Sequence, residues 1–286
     1  MSIQKAKLYV VATPIGNLAD LSARAQETLA AVNVIAAEDT RHTRHLLDHY
    51  GIKTALTALH EHNEREAHLE LLARLQSGDT VALVSDAGTP LLNDPGFLLV
   101  RECRRLGISV TAIPGPSAIT TALSIGGVPT GRFAFEGFLP AKTTARKNRL
   151  RELMNDERTL IFFEVPHRVV DALEDIAAVL GRDRQMVLAR ELTKIHEQVI
   201  FGTASQVQDE LSSAADNPRG EMVLLVHGAP PIDAAEVEIR RVLKLLLGEM
   251  PLKRAAELTA KIIGCGRNRA YEIGLTLQPS SDSAPT

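Results

Sequence analysis

Short apolar runs rich in β-branched residues alternate with stretches of helical periodicity over the first 115 residues of the chain. Four of these runs predict β-strands, at residues 7–12, 32–37, 80–85 and 108–113. Helical patterns occupy the intervals between them. Because strands that alternate with helices typically form a parallel sheet covered on both faces, residues 1–115 are predicted to form an α/β lobe.

The alternation continues and predicts a second α/β lobe over residues 116–230. Two of its strands follow each other without an intervening helix, which indicates a mixed sheet rather than a parallel one. The predicted strands are residues 133–138, 159–164, 186–191, 197–202 and 222–226.

The remaining residues, 231–286, predict a small helical appendage behind a linker rich in proline and alanine. Two amphipathic stretches, 252–263 and 267–275, flank a Gly-Cys-Gly turn, which is typical of a helix-turn-helix-like pair. The final residues, QPSSDSAPT, lack apolar positions that could pack, and they are predicted to be disordered.

Helix signals are densest around residue 94. Asp94 is followed by Pro95, and Gly107 comes after the last apolar position of the same stretch. Aspartate is favoured at the N-cap, proline at the first helical position and glycine after the last turn. The sequence therefore predicts a helix that Asp94 caps.

Composition then narrows the class of protein. Of 286 residues, 45% are hydrophobic and 23% charged, a balance that excludes disordered and collagenous chains. No apolar run approaches the roughly 20 residues of a membrane-spanning helix, and the N-terminal segment lacks a signal-peptide pattern. The two cysteines have no metal-ligand spacing, and they exclude a disulfide framework. We expect a soluble cytoplasmic protein without a structural metal.

The net charge of −3 conceals a local excess of positive charge. Residues 132–151 contain six arginines and lysines against one glutamate, and residues 236–272 contain eight against five. Such segments suit contacts with the phosphates of a nucleic acid, although a charged run is also typical of a solvated helix face. The residues predicted to make these phosphate contacts, and hence to bind RNA if the resemblance described below holds, are Arg132, Lys142, Arg146, Lys147 and Arg149.

Three loops rich in glycine and proline follow strands of the first lobe, at residues 9–17, 81–90 and 110–118. Loops at the carboxyl edge of a parallel sheet commonly form a ligand cleft, whereas the alternative is a set of ordinary tight turns. None of the three contains a lysine or arginine, and neither a P-loop nor a dinucleotide motif is present, so ATP and NAD are disfavoured. A ligand held by backbone groups, with Ser85 and Asp86 contacting hydroxyl or amino groups, fits better.

Acidic residues at strand ends are the candidates for chemistry. Glu38 and Asp39 follow the second predicted strand, where they could position a substrate or accept a proton; alternatively, Asp39 caps the next helix with Arg41 as a solvated partner. Two further residues, Glu191 and Lys194, end a strand of the second lobe. Six of the nine histidines lie between residues 42 and 68, but without a metal-binding motif they predict no metal site.

Seven motifs carry a resemblance to a known family. In chain order they are VATPIGNLADLS, AEDTRHTRHLL, VALVSDAGTPLLNDPG, IPGPSA, FEGFLP, FFEVPHR and ARELTK. In this order and spacing they closely resemble the ribosomal RNA small-subunit methyltransferase I family, whose fold is the two-lobed tetrapyrrole-methylase fold of class III S-adenosylmethionine methyltransferases. The resemblance extends from residue 7 to about residue 275.

The resemblance implies an enzyme that uses S-adenosylmethionine to methylate the ribose 2'-hydroxyl of a cytidine in the decoding region of 16S rRNA. It also implies a homodimer, with 16S rRNA or the small ribosomal subunit as partner and the methyl donor bound between the two lobes. By motif, the donor-binding residues are Pro14, Gly16, Ser85, Asp86, Ala87, Gly88, Ser117, Ala118, Phe163 and Glu164.

Catalysis of this reaction requires alignment of the hydroxyl with the methyl carbon and stabilisation of the developing alkoxide. We therefore expect Lys194 to act as an electrostatic stabiliser and Glu38 or Glu191 to accept the proton. Two other functions stay open at this point. A tetrapyrrole or other small-molecule methyltransferase would not need the basic segments, and a non-catalytic RNA-binding assembly factor would not need three glycine loops.

Overall fold

The structure is a computed structural model that describes residues 7–213, 220–231 and 233–277. The chain folds into two compact units, Met1–Gly228 and Ala229–Thr286. The C-terminal segment 278–286, for which the sequence predicts disorder, lies outside the described residues.

The first sheet has five parallel strands in the order β3-β2-β4-β1-β5. The parallel α/β arrangement and four of its strands are as the sequence predicts. The strand β3 was not predicted, because it has only three half-buried residues and so shows no periodicity. The strands are β1 (Lys7–Val11), β2 (Val34–Ala37), β3 (Leu56–Ala58), β4 (Thr80–Val84) and β5 (Ser109–Ile113).

Helices cover both faces of this sheet, which explains why every residue of β2 and β4 is buried. Alternate strand residues enter separate cores: Leu8 packs with Leu71 and Leu99 on one face, while Val11 packs with Leu47 on the other. The helices along this part of the chain are α1 (Ala23–Ala31), α2 (Thr40–His49), α3 (Glu64–Gln76), α4 (Phe97–Arg105) and α5 (Ala118–Ile125).

The second sheet is mixed, in the order β6-β7-β10-β8-β9. Its first two strands are parallel, whereas β10 runs antiparallel to both β7 and β8, and β8 and β9 form an antiparallel pair. The five strands agree with the predicted ones to within one residue at each end. They are β6 (Phe133–Phe138), β7 (Thr159–Glu164), β8 (Gln185–Arg190), β9 (Gln198–Thr203) and β10 (Met222–Val226).

Each face of the second sheet has its own core. One core contains Leu150 and Leu173 from the helices that follow β6 and β7, together with Leu211 from the helix that follows β9. The opposite face packs against α5, through Ile119 and Ala122, and against Ile15 from the loop after β1. The covering helices are α6 (Thr143–Leu153), α7 (Val169–Leu180) and α8 (Ala204–Ser213).

The unit Ala229–Thr286 contains three described helices, α9 (Ala234–Leu247), α10 (Leu252–Ile263) and α11 (Arg267–Leu275). They pack around Ile239, Leu243, Ala255, Ala256 and Ala270. The last two helices have the predicted boundaries. Among the described helices, none combines the length and the apolar composition that a bilayer crossing requires.

The start of α4 contradicts the sequence prediction. The N-cap is Gly96, with a left-handed φ of +118°, and not Asp94. The free backbone N–H groups of Gly96 and Leu98 are instead bound by Glu64 Oε1 of α3, at 2.8 and 3.3 Å. Because a carboxylate from another helix satisfies these donors, the side chain of Asp94 is not needed as a cap.

Candidate active site

A cavity of about 350 Å³ lies where the carboxyl edge of the first sheet faces the second sheet. The loops after β1, β2, β4 and β5 contribute one wall, and the ends of β6 and β7, the loop after β8 and the start of β10 contribute the other. The lining residues are Ile15, Glu38, Asp86, Ala87, Gly88, Thr89, Leu92, Asn93, Asp94, Ser117, Ala118, Ile119, Phe138, Phe163, Glu164, Val165, Leu192, Glu221, Met222 and Val223.

Hydrogen bonds join the three glycine loops into one structure. The backbones of Thr13 and Gly88 exchange a pair of bonds at 2.9 and 3.0 Å, and the Thr13 hydroxyl donates to the carbonyl of Ser85 at 3.1 Å. The Thr89 hydroxyl donates to the carbonyl of Pro116 at 3.1 Å. The loop after β4 is therefore held to both of its neighbours, which gives the cavity wall a fixed shape before any ligand arrives.

Gly88 has a structural reason to be glycine. Its φ is +81°, and a Cβ atom there would lie 3.2 Å from Ile15 Cγ2 in the cavity wall. A side chain would therefore meet both backbone strain and steric resistance.

The cavity is acidic. Five carboxylates line it, and none of its described lining residues is a lysine or an arginine. Burial raises the pKa of Asp94 to about 6, an effect that the nearby charge of Glu38 increases. Burial, followed by the charge of Asp86, also raises the pKa of Glu38. Such a cavity favours a ligand that carries positive charge. The five carboxylates are Glu38, Asp86, Asp94, Glu164 and Glu221.

Glu164 is the most buried of these acids. Its residue is 1% exposed, burial raises its pKa, and its Oε2 has no hydrogen-bond partner among the described residues. Its Oε1 accepts a hydrogen bond from the backbone N–H of Val165 at 3.0 Å. The same Oε1 lies 3.4 Å from Arg168 Nε, so the carboxylate is paired through one oxygen only. An unpaired buried acceptor is costly, and the described residues supply no donor for Oε2.

The two acids after β2 have different positions. Asp39 caps α2 by accepting from the N–H groups of Arg41 and His42, and the exposed Arg41 pairs with it at 3.0 Å. Glu38 lines the cavity, and Asp86 Oδ1 accepts the backbone N–H of Asp39 at 2.9 Å. Asp39 therefore caps a helix with Arg41 as its solvated partner, which is the second of the two alternatives for this motif. Glu38 lies in the candidate site.

Seven of the ten predicted donor-binding residues line the cavity, and three do not. Ser85 is buried behind it, where its hydroxyl lies 3.3 Å from the Ala87 carbonyl and 3.4 Å from that of Gly88. Pro14 and Gly16 do not line the cavity either; Ile15, which lies between them in the chain, does. The seven are Asp86, Ala87, Gly88, Ser117, Ala118, Phe163 and Glu164.

Lys194 and Glu191 lie beside the cavity and do not line it. Lys194 Nζ contacts Glu191 Oε1 at 2.7 Å and Glu221 Oε2 at 3.7 Å. Burial lowers the pKa of Lys194, but the hydrogen bonds and charges of the two glutamates outweigh it, so the net pKa is raised and the ammonium stays charged. Its side chain crosses Gly16, where an added Cβ would lie 2.5 Å from Lys194 Cγ.

The basic segment is partly neutralised within the fold. Arg146 is 2% exposed, and its Nε donates to Asp175 Oδ2 at 2.6 Å, so the prediction that it contacts RNA is not supported. Lys147 also contacts Asp175, at 3.2 Å. Arg149 pairs with Glu136 at 2.5 Å and with Glu152 at 2.6 Å. Arg132 and Lys142 are exposed and have no ion-pair partner among the described residues.

Sequence reasoning missed several lining residues. Asp94 is predicted as a helix cap, although its place four residues after the glycine loop 81–90 is a signal for the site. Phe138 ends β6 and lies within the motif FEGFLP, which carries the family resemblance but does not mark this residue as part of a site. Leu192 follows β8 and Glu221 precedes β10. Nothing in the local sequence marks them as lining residues, because how the second sheet packs against the first is a property of the tertiary structure.

Comparisons with known proteins identify the fold and the family. Residues 7–208 match the tetrapyrrole (corrin/porphyrin) methylases, and residues 233–278 match the RsmI C-terminal HTH domain. Solved structures share the fold at low identity. Diphthine synthase has a TM-score of 0.58 at 16% identity, covering 77% of this chain and 89% of its own. The methyltransferase CobJ has a TM-score of 0.58 at 18% identity, covering 78% and 94%.

Curated relatives are much more similar in sequence. A protein of Xylella fastidiosa named ribosomal RNA small subunit methyltransferase I is 53% identical over 92% of this chain and 97% of its own. Proteins of the same name from Haemophilus influenzae and Escherichia coli O157:H7 are 49% and 51% identical, over 94% and 95% of this chain and 96% of their own length. These matches confirm the predicted resemblance: the chain belongs to the ribosomal RNA small subunit methyltransferase I family and has the tetrapyrrole-methylase fold.

Proposed function

We propose that the cavity binds S-adenosylmethionine and that the protein methylates the ribose 2'-hydroxyl of a cytidine in the decoding region of 16S rRNA. The observation that carries the donor assignment is the charge of the cavity: five carboxylates and no described lysine or arginine. The substrate assignment rests on the names of the relatives, which are ribosomal RNA small subunit methyltransferases. We expect the protein to act in the cytoplasm as a homodimer.

The residues present fit this donor. S-adenosylmethionine supplies a methyl group on a positively charged sulfur. Its sulfonium and ammonium groups suit the acidic wall, since opposite charges in a partly desolvated site attract more strongly than in water. The orphaned Glu164 Oε2 is placed to accept from an amino or hydroxyl group. A ligand of this kind lacks phosphates, which agrees with glycine loops that carry no cation.

Glu38 is the better candidate for the proton acceptor. It lines the cavity, and its raised pKa makes its carboxylate a stronger base than an ordinary glutamate. Glu191 is engaged by Lys194 at 2.7 Å and lies outside the lining. We therefore assign proton removal from the ribose hydroxyl to Glu38. Lys194 remains charged beside Glu221 and would favour the developing alkoxide from behind the wall.

RNA contacts are assigned to the exposed part of the basic segment. Arg132 and Lys142 have no ion-pair partner among the described residues, and Lys147 and Arg149 keep part of their surface exposed. Phosphate contacts of this kind fix the orientation of the RNA and make binding weaken with salt. Replacing Lys142 and Lys147 by alanine should lower both the RNA affinity and its salt dependence, with donor affinity unchanged.

Methyl transfer from labelled S-adenosylmethionine tests the function. The acceptors are small ribosomal subunits, free 16S rRNA and a tetrapyrrole precursor, and the RNA is afterwards digested to nucleosides. We expect label in 2'-O-methylcytidine. Label in the tetrapyrrole alone, or in a base-methylated nucleoside, would overturn the proposal. Asp86→Ala should weaken donor binding in calorimetry, and an unchanged affinity would show that the cavity binds something else.

A further inference from the structure

Aromatic side chains are scarce in this chain, and three of them form a cluster of which two members, Phe138 and Phe163, line the cavity. The sequence contains seven phenylalanines, three tyrosines and no tryptophan. The ring centroids of Phe135 and Phe163 are 4.8 Å apart, and those of Phe138 and Phe163 are 5.7 Å apart. The interplanar angles of 61° and 66° are edge-to-face arrangements, so no ring of this cluster is stacked on another.

Phe138 differs from its two neighbours because it reaches the rim. It lines the cavity and is nonetheless 47% exposed, whereas Phe135 and Phe163 are half-buried. Exposure of a single apolar side chain is ordinary and by itself carries no meaning. Phe133, at the other end of the same strand, is 43% exposed without lining the cavity. What distinguishes Phe138 is therefore an uncovered aromatic surface at the entrance of an acidic cavity.

The chain that follows Phe138 supplies a cation. Lys142 lies four residues further on, is exposed, and directly precedes the first turn of α6, which has no side-chain cap. An exposed aromatic ring at the cavity and an ammonium four residues away along the chain offer contacts for the base and the phosphate of one nucleotide. Proteins that hold unpaired nucleotides commonly use this combination of a stacking ring and a nearby cation.

We infer that Phe138 stacks on the base of the nucleotide whose ribose is methylated, an inference that rests on the proposed function. For the ribose hydroxyl to approach the cavity, the nucleotide has to leave its neighbours in the RNA and loses their stacking. The ring of Phe138 replaces that stacking at the rim, while Phe163 supports it from behind. Because every base has a π-face, this contact holds the nucleotide in place without reading its identity.

Substitutions on one strand separate stacking from packing. Phe138→Leu keeps an apolar side chain without a π-face, and Phe138→Tyr and Phe138→Trp keep the face. Phe133→Leu is the matched control, since Phe133 has a similar exposure on the same strand. With small ribosomal subunits as substrate, Phe138→Leu should lower kcat/KM between about 5- and 150-fold, the range expected for loss of one base–aromatic stack. The aromatic variants and Phe133→Leu should stay within about threefold of the wild type.

Donor affinity, measured by calorimetry, decides whether Phe138 contacts the RNA base or the methyl donor. The inference predicts that Phe138→Leu binds S-adenosylmethionine as tightly as the wild type. If donor affinity falls while the KM for subunits is unchanged, Phe138 contacts the donor and the inference is wrong. It is also wrong if Phe138→Leu retains wild-type kcat/KM, or if Phe133→Leu loses as much. A wild-type protein that labels no rRNA refutes the proposed function itself, which is a separate result.

Discussion

Asp94→Asn should stabilise the ligand-free protein at neutral and alkaline pH. The substitution keeps the shape of the side chain and removes its charge. Burial is the main reason that the pKa of Asp94 rises from 3.8 to about 6, and the charges of Glu38 and Asp86 add to it, against a hydrogen bond from Ser85. The native protein therefore binds this proton more tightly than the unfolded chain does. Its stability falls as pH rises from about 4 to about 6, and the loss persists above that range.

The magnitude follows from the shift in pKa. Two pKa units correspond to about 3 kcal/mol. Asp94 is only partly buried, so solvent screening reduces this to roughly half, about 1.5 kcal/mol at pH 8. For a protein of this size, that gain raises Tm by about 3–6 °C.

Thermal unfolding of wild type and Asp94→Asn between pH 4 and pH 8 provides the measurement. The difference in Tm should be small near pH 4, grow through pH 6 and level off at higher pH. Asp209→Asn, on the exposed surface of α8, is the control and should show no such trend. A difference that is equal at pH 4 and pH 8 would indicate a packing effect, and no difference at pH 8 would refute the electrostatic reasoning.

The same substitution should act in the opposite direction on ligand binding. Removing one carboxylate from an acidic cavity weakens the attraction for a cation, so Asp94→Asn should bind S-adenosylmethionine about tenfold more weakly at pH 8. S-adenosylhomocysteine lacks the sulfonium charge and should lose much less affinity. Equal losses for the two ligands would show that the charge of Asp94 does not face the sulfonium. If the prediction holds, the charge of Asp94 lowers the stability of the ligand-free protein and in return raises the affinity for the ligand.

Two further substitutions test the framework around the site. Arg146→Ala should lower the free energy of unfolding, measured in urea, by about 3–5 kcal/mol, because it leaves Asp175 buried without its main partner. Replacing both residues, as Arg146→Met together with Asp175→Leu, should recover most of this loss. An Arg146→Ala variant as stable as the wild type would contradict the burial of the pair. Gly88→Ala should reduce donor affinity at least tenfold in calorimetry, because its Cβ would press on Ile15 in the cavity wall. The control is Gly107→Ala, which has a similar left-handed φ of +71° but lies outside the cavity lining and has no atom within 4 Å of the added Cβ. Equal losses of donor affinity in the two variants would show that the effect does not arise at the cavity wall.

Much of the fold followed from local patterns, and the failures have physical causes. Buried strands such as β4 and β10 are continuous apolar runs, so their positions were evident. The cap of α4 was mispredicted because aspartate before proline favours a helix start, while the group that binds the free N–H donors is Glu64, 32 residues away from Gly96. A cap supplied by another helix leaves no trace in the local sequence.

The site was predictable only where a loop motif marks it. Asp86, Gly88 and Ser117 lie in glycine loops at strand ends, a pattern that itself indicates a cleft. Phe138 lies on the second sheet, and the local sequence around it does not show that its side chain lines a cavity together with loops of the first sheet. Arg146 belongs to a run of basic residues that is typical of a surface, yet its side chain is buried in an ion pair with Asp175 of α7. Both depend on how helices and sheets pack, which periodicity does not encode.

The strand order of the first sheet bears on when the cavity can exist during folding. The loops that line the cavity meet only after β1 has paired with both β4 and β5. In these pairs Lys7 lies opposite Thr80, 73 residues further along the chain, and opposite Ser109, 102 residues further along. Contacts of such high sequence separation form late, because the entropy of closing long loops must first be overcome. A ligand of this cavity therefore has little to bind in partly folded chains. It binds only the completed fold, and the free energy of unfolding rises with the logarithm of its concentration once that concentration exceeds Kd. If the ligand is the proposed methyl donor, the cellular supply of that donor also sets the fraction of the protein that is folded.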